Sequence, residues 1–350
     1  MKLPFSKRRA RGLTLIELLV SLAIGSLLII GAVTVYSQSR TTYRVSDTVA
    51  RLQENARYAL SIIEPDVQLA GYYGFSNYPD EFGFIRGGAT GSRVSAANLM
   101  LTNAAVPVGG DVIECGPNFA VNVLTTIDSG LRNDQYGLQC PPASADGGTV
   151  AIAAQNGADS LTIRHASVVR TNAADGRVQL IASRLGGNYI FSDGTLPTTV
   201  TLNPDMIEIR DLIVRTYYVA TNSETPARVG VPSLRVKRLA PGPTFVDEEV
   251  ISGVEDLQVQ YGIAPLVDKD FDGDPETPLG SAVAYVSPPV DPAFRVVSIR
   301  IWLMMRAEQA EPGFIDNNTY EYGGKSVPKN DKFRRVLVSR TIQLRNSRML

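Results

Sequence analysis

Five acidic side chains alternate along one short stretch in the C-terminal half of the chain. They are Asp268, Asp270, Asp272, Asp274 and Glu276. With Gly273 at the sixth position, this spacing matches the first half of an EF-hand calcium loop, in which alternate carboxylates converge on one hard cation. The twelfth position departs from the pattern, because Leu279 stands where that loop has a bidentate glutamate. The sequence predicts a Ca²⁺ site in a non-helical loop, and the alternative is a solvated acidic turn between strands.

His165 is the only histidine, so any Ser-His-Asp or Cys-His arrangement would have a single available base. The sequence also lacks a P-loop, a G-x-G-x-x-G dinucleotide motif and an H-E-x-x-H zinc motif. Because His165 lies within an alternating strand pattern, it is better explained as a packed or surface side chain. These residue types predict a protein that is not an enzyme and has no catalytic residue.

Glu17 is the single charged residue near the start of a long apolar stretch. From Leu18 to Ser39 no residue is charged, and at ~1.5 Å of rise per residue a helix of this length spans the ~30 Å hydrocarbon core of a bilayer. A lone carboxylate in such a segment is costly and indicates a functional position with a partner. The alternative is an acid at the membrane boundary that merely reaches the interface.

Five cations and no acid precede this stretch. They are Lys2, Lys7, Arg8, Arg9 and Arg11. Because cationic flanks stay in the cytoplasm, the pattern predicts a membrane-anchored protein whose C-terminal bulk is exported. An ordinary secretory signal is cut after its apolar region, whereas here a glycine precedes that region. The apolar segment would therefore survive processing.

The junction Arg11-Gly12-Leu13-Thr14-Leu15-Ile16-Glu17 resembles the class III leader of type IV pilins and pseudopilins. The resemblance implies that a prepilin peptidase cuts between Gly12 and Leu13 and methylates the new N-terminus. Glu17 then becomes the fifth mature residue, and its implied partner is the N-terminal amine of the neighbouring subunit, a pairing that sets subunit register. The family more often has phenylalanine after the cut, and Leu13 keeps the apolar character of that position.

Two further stretches, residues 51–60 and 68–75, resemble the PilW family of minor pilins, while residues 249–261 resemble both PilW and the J-type pseudopilins of type II secretion. The resemblance implies an inner-membrane, single-pass minor pilin with a periplasmic domain. It would help to initiate type IV pilus assembly with other minor pilins and the assembly machinery, in a complex that primes polymerisation and caps the tip. One alternative is a type II secretion pseudopilin. Another is a tip-displayed adhesin that binds a ligand through residues 76–157 or the acidic loop.

Cys115 and Cys140 both follow the apolar stretch, so export would bring them into an oxidising compartment. A disulfide is the natural prediction for such a pair. A metal or redox pair is the alternative, and the lack of a C-x-x-C motif and the single histidine disfavour it.

Charge argues against nucleic acid as a partner. The formal net charge of the chain is −1, and removal of residues 1–12 would leave 29 Lys and Arg against 35 Asp and Glu, a net charge of about −6. Outside the leader, the sequence has no basic patch of the kind that binds phosphate backbones.

The periodicity of the chain predicts the elements that carry these residues. Residues 13–36 form the transmembrane half of one helix and 37–70 its amphipathic half, with an apolar stripe at three- and four-residue steps and Gly71 as the C-cap. Residues 71–350 form an exported β-rich domain that begins with an aromatic cluster and contains a loop-rich insertion at about 76–157. The predicted fold is α+β and pilin-like, one long helix packed on antiparallel sheet.

Overall fold

The fold is that of a computed structural model, in which an apolar helix precedes a domain built mostly of β-strands. The structure describes residues 14–76, 82–86, 92–95, 119–130, 153–184, 188–194, 196, 206–225, 228–242, 244–267, 277–278, 281–288, 290 and 293–346. By its internal contacts the chain divides into two units, Met1–Arg51 and Leu52–Leu350. This arrangement confirms the predicted α+β, pilin-like class.

Helix α1 extends from Leu15 to Leu69 and continues through Pro65. Its first part, in the first unit, is solvent-exposed along its apolar length. Its last part, in the second unit, buries one stripe of side chains. These are Leu52, Ala56, Ala59, Ile63, Asp66 and Val67. The stripe follows the predicted three- and four-residue spacing, and Gly71 ends the helix with a φ of 73°, as expected for a C-cap glycine.

The larger sheet is built around the long strand β7. In the described residues its strands are β1 (Phe82–Arg86), β2 (Ser92–Ser95), β3 (Ile127–Gly130), β4 (Ser160–Arg170), β5 (Asp175–Ser183), β6 (Asn188–Asp193), β7 (Ile207–Ala220), β8 (Ser233–Ala240) and β9 (Thr244–Ser252). The main order is β2-β1-β6-β5-β7-β4-β3. One edge of β7 pairs with β5 over its first half and with β8 over its second half. Its other edge pairs with β4, and β9 follows β8.

The second sheet has the order β11-β10-β13-β16, and β12 also pairs with β10. Its strands are β10 (Val254–Val267), β11 (Thr277–Pro278), β12 (Ala284–Val286), β13 (Phe294–Arg306) and β16 (Arg335–Gln343). The last strand pairs antiparallel with β13. Between them, β14 (Thr319–Tyr322) and β15 (Lys325–Pro328) form a hairpin that the sequence did not reveal.

Alternation along the strands produces two cores, because β7 is buried on both faces. Leu212, Val214 and Tyr218 face the first core, which also contains Tyr73 and Phe82 from the predicted aromatic cluster. Tyr217 and Val219 face the second core, which the helix stripe and the second sheet complete. Tyr73 and Phe82 are fully buried with their rings 5.6 Å apart, so these two members of the aromatic cluster have a structural role.

One detail differs from the sequence prediction. The pairing is not wholly antiparallel, because β1 and β6 run parallel. At residues 249–261, β9 ends at Ser252, Gly253 turns the chain with a φ of 84°, and β10 begins at Val254. Within the region 76–157, the described residues include β1, β2 and β3 of the larger sheet. The partners of β1 and β3 in β6 and β4 lie far away in sequence, and local periodicity does not predict such pairing.

Candidate functional site

The first turn of α1 presents Glu17 on an exposed surface. The Thr14 hydroxyl accepts a hydrogen bond from the Glu17 amide at 3.3 Å, as an N-cap side chain does. An acid in this turn also complements the positive end of the helix dipole. Among the described residues no cation lies within ion-pairing distance of Glu17. The carboxylate is therefore available to a group from outside the described chain.

The apolar part of α1 is exposed along its whole length. Leu15 is 80% exposed, and Leu27, Ile29 and Val35 each remain more than 60% exposed. By length and composition this helix is apolar enough to cross a membrane. Its side chains are thus free to contact lipid or neighbouring helices.

The hydroxyls within this apolar stretch are satisfied by the helix itself. Ser21 donates to the Leu18 carbonyl at 3.0 Å, Ser26 to Ala23 at 2.9 Å and Thr34 to Ile30 at 2.8 Å. Because an unpaired polar group is costly in hydrocarbon, such back-bonding lets these residues occupy a membrane helix.

The C-terminal part of α1 is fixed to the larger sheet by a buried ionic cluster around Asp66. Arg215 Nη1 donates to both Asp66 carboxylate oxygens, at 2.8 and 2.9 Å, and the Tyr217 hydroxyl donates to Oδ2 at 2.6 Å. His165 Nε2 lies 3.6 Å from Oδ1. Burial opposes ionisation of Asp66, but His165, Arg215 and Tyr217 outweigh it, so the pKa of Asp66 is lowered. The histidine is therefore packed against the helix attachment.

Two other segments meet the end of α1. The Gly71 amide donates to the Arg164 carbonyl of β4 at 3.2 Å. Arg340 of β16 pairs with Glu64 at 3.1 Å, and the Asn346 side chain donates to the Ala70 carbonyl at 3.2 Å. Strands from both sheets thus hold the last turns of the helix, so that a load on this part of the helix would reach both.

Buried Arg164 attaches residues 119–125 to the larger sheet through main-chain carbonyls. Its Nε donates to the Phe119 carbonyl at 3.0 Å and its Nη1 to the Thr125 carbonyl at 2.7 Å. The guanidinium also lies 4.8 Å from the centroid of the Phe119 ring. Burial lowers the pKa of Arg164 to about 10. The arginine therefore has a structural role.

A second ionic cluster fixes the segment between β13 and β16. Arg335, almost fully buried, pairs with Glu255 of β10, with Asp316 at 3.1 Å and with Asp331 at 2.6 Å. The Arg335 hydrogen bond, stronger than the opposing effect of burial, lowers the pKa of Asp331 to about 2. Sequence reasoning missed this cluster, because its members lie up to 80 positions apart and form no motif.

The other residues that the sequence singled out lie outside the described residues. This applies to Gly12 and Leu13 at the processing junction and to Cys115 and Cys140 of the predicted disulfide. It also applies to the predicted calcium ligands Asp268, Asp270, Asp272, Asp274 and Glu276. Within the described part of the chain, no group of three or more His, Cys, Asp or Glu side chains is arranged to hold a metal ion.

Two parts of the chain match known protein families. Residues 7–33 match the prokaryotic N-terminal methylation motif. Residues 216–346 match PilW, the type IV pilus-assembly protein W family, and this match covers β8–β16 with part of β7. Neither curated proteins nor solved structures gave a significant match to the chain.

Proposed function

The methylation motif and the PilW match together support a type IV pilus minor pilin of the PilW family, and from this premise we propose that the chain helps to initiate pilus assembly in a priming complex at the pilus tip. Such pilins are structural rather than catalytic, so the proposed role is one of binding. The observation that carries the proposal is an exposed acid in the first turn of an unburied apolar helix that begins within a prepilin motif.

In this account a prepilin peptidase removes residues 1–12 and methylates Leu13. Residues 13–36 then anchor the protein in the inner membrane, and residues 37–70 join that anchor to the periplasmic domain, residues 71–350. The Glu17 carboxylate pairs with the terminal amine of a neighbouring pilin. Because each group is costly alone in hydrocarbon, their pairing favours one axial register over others.

The ionic cluster at Asp66 supports a role in which the domain moves with its helix. When the assembly machinery displaces the helix, Arg215 and Tyr217 would pass that displacement to β7 and so to both cores. Asp66 is buried, so loss of its partners would leave an uncompensated carboxylate, and the attachment should therefore persist under load.

The function is tested by counting surface pili and assaying exported enzymes in one strain that lacks the gene. We expect lost pili with normal secretion. Lost secretion with normal pili would instead identify a type II secretion pseudopilin. Normal pili and normal secretion with reduced adhesion would favour the tip adhesin.

Complementation with Glu17 variants tests the proposed mechanism. We expect Glu17→Ala and Glu17→Gln to restore the protein to the membrane but not to restore pili, since neither variant has the charge that pairs with the amine. Glu54→Ala is the matched control, because Glu54 is an exposed acid on the same helix beyond the apolar stretch. Full piliation with Glu17→Ala would contradict the assembly mechanism.

A further inference from the structure

Strand β16 forms an open edge of the second sheet. It pairs with β13 over all nine of its residues, with no register shift. No other described strand pairs with it. An edge of this kind presents a row of main-chain donors and acceptors that another strand can bind.

Two hydrogen bonds establish which residues of β16 face outward. The Leu344 amide donates to the Val297 carbonyl at 3.0 Å, and the Ala307 amide donates to the Arg334 carbonyl at 2.8 Å. Both pairs fall in the β13–β16 register, so even-numbered residues of β16 direct their main-chain groups towards β13. The main-chain groups of Leu337, Ser339 and Thr341 therefore point away from the sheet, and they make no main-chain hydrogen bond to any described residue.

This edge lacks two of the features that usually protect one, and its charged side chains are paired within the chain. Natural edges are blocked by proline, by a bulge or by charged side chains. Strand β16 has no proline and no bulge. Its two charged residues, Arg335 and Arg340, are both held in ion pairs, and the outward residues Leu337, Ser339 and Thr341 are uncharged. By contrast, β9 at an edge of the larger sheet has three consecutive acids, Asp247, Glu248 and Glu249, and its pairing with β8 contains a register shift.

The side chains beside this edge specify what would cover it. Val336 and Val338 are half-buried and already pack against the second core. An added strand with apolar side chains on that face would extend the same core over them. Arg340 lies on the same face but is engaged with Glu64 of α1, so it leaves no unpaired charge there.

We propose that β16 is a docking edge to which an extended segment of another pilin adds as a strand, with its apolar side chains over Val336 and Val338. Only a polypeptide in β-conformation can satisfy donors and acceptors spaced along an edge in this way. That the donor is a pilin rests on the proposed function, since pilins are the neighbours that assembly provides. Because Arg340 of β16 and Asn346 just after it bond to the last turns of α1, such docking would hold a neighbouring domain at a fixed position relative to that part of the helix.

The decisive experiment places a photo-crosslinking amino acid at Ser339 in the full chain, expressed in its own cells. We expect cross-links to one segment of a different protein that has a prepilin motif, identified by peptide mass spectrometry. The control probe replaces exposed Lys332, outside the strand, and should not cross-link to that segment. Absence of a cross-link at Ser339, or one to a second copy of this chain or to a protein without a prepilin motif, would overturn the proposal.

A proline variant tests the main-chain hydrogen bonds. Ser339→Pro removes one outward amide and leaves the β13 ladder intact, because proline is tolerated where its missing N–H faces solvent. In this variant the photo-crosslinking probe stands at Thr341. We expect its cross-link to the partner segment to fall about tenfold relative to the same probe without the proline, because the lost hydrogen bond and the proline ring both oppose docking. Ser339→Ala retains the amide and should cross-link as the parent does. Equal cross-linking of the proline variant would contradict the inference.

The two proposals fail in distinguishable ways. Normal pili in a strain without the gene would contradict the proposed function, whatever the cross-links show. Lost pili in that strain, together with no Ser339 cross-link, would leave the function standing and overturn only the docking edge. A correctly sized, processed Ser339→Pro protein in the membrane fraction excludes misfolding as the cause of any loss.

Discussion

At the scale of single residues, burial rather than sequence spacing sets the chemistry of the acids. Asp159 is buried and accepts a hydrogen bond from the Val259 amide at 2.8 Å. Burial raises the pKa of Asp159 to about 6, against the smaller opposing effects of that amide and of Lys325. Half-buried Asp256 adds to the increase through charge repulsion. The folded protein therefore binds a proton more tightly at this position than the unfolded chain does.

The sign of the pH dependence follows from that difference. Between the unfolded pKa of 3.8 and the folded value of about 6, the folded state holds more protons, so stability falls as the pH rises through this window. We expect Asp159→Asn to remove most of this fall and to raise stability at pH 7 by about 2 kcal/mol, because the amide oxygen still accepts from Val259. Urea unfolding of the full chain in detergent, followed by Trp302 fluorescence, would measure it.

The control for this prediction is Asp175→Asn, which changes an exposed acid at the start of β5. Its stability should follow pH as that of the parent does. If Asp159→Asn loses stability between pH 4 and 6 as steeply as the parent, another group is responsible.

A site residue could be predicted from sequence only where its neighbours in the chain indicate its role. Glu17 was identifiable because a charge within an apolar run is visible without a structure. Asp66 was not, since it reads as one more polar residue on a helix, and its partner Arg215 lies 149 positions away. Its place on the buried stripe was the one available signal, because a carboxylate there requires a buried partner.

At the scale of elements, segments with strong periodicity were predicted well, whereas short strands and their pairing were not. The apolar stripe of α1 appears as predicted and is buried in the second core. Ile299, Ile301 and Leu303 alternate along β13 and are fully buried in the same core. The parallel partnership of β1 with β6 and the β14–β15 hairpin did not appear in the sequence. Their strands are four to six residues long, which is too short for a two-residue alternation to be recognised in the sequence.

The connection from helix to sheet offers a matched test at this scale. Gly74 and Gly230 have similar positive φ angles, 84° and 81°. A methyl group on Gly74 would lie 2.0 Å from Oε1 of buried Glu208, whereas one on Gly230 would meet nothing within 4 Å. Gly74 therefore leaves room for a carboxylate that Arg170 and Arg210 hold at 3.1 and 2.7 Å.

We expect Gly230→Ala to lower the free energy of unfolding by about 1 kcal/mol, the cost of a left-handed alanine. Gly74→Ala should lower it by about 3 kcal/mol, because Glu208 must also shift and weaken its two ion pairs. Thermal unfolding of both variants measures the difference. Equal losses would show that the φ angle alone accounts for the glycine at position 74.

At the scale of the whole molecule, the family matches and the structure account for different parts of the chain. The methylation motif covers residues 7–33 and the PilW match covers 216–346, so the first half of the larger sheet lies outside both. That unmatched part nevertheless shares a core with the matched part, since β4 and β8 both pair with β7. Whatever the unmatched part contributes is therefore built into the same folded domain as the matched part.

The acidic stretch, residues 268–276, gives the last prediction, because it follows β10 within the matched region. If Asp268, Asp270 and Asp272 converge on Ca²⁺, the cation binds the folded state alone and raises its stability. At a calcium concentration 100 times the Kd, the increase in the free energy of unfolding would be about 2.7 kcal/mol.

We expect the full chain in detergent to unfold at a higher temperature with calcium than with chelator. Asp270→Ala and Asp272→Ala should each remove that difference, while Asp175→Ala should retain it. Identical unfolding curves of the parent with calcium and with chelator would contradict the calcium site and favour a solvated acidic turn. In such a turn the carboxylates repel one another, and salt screens that repulsion.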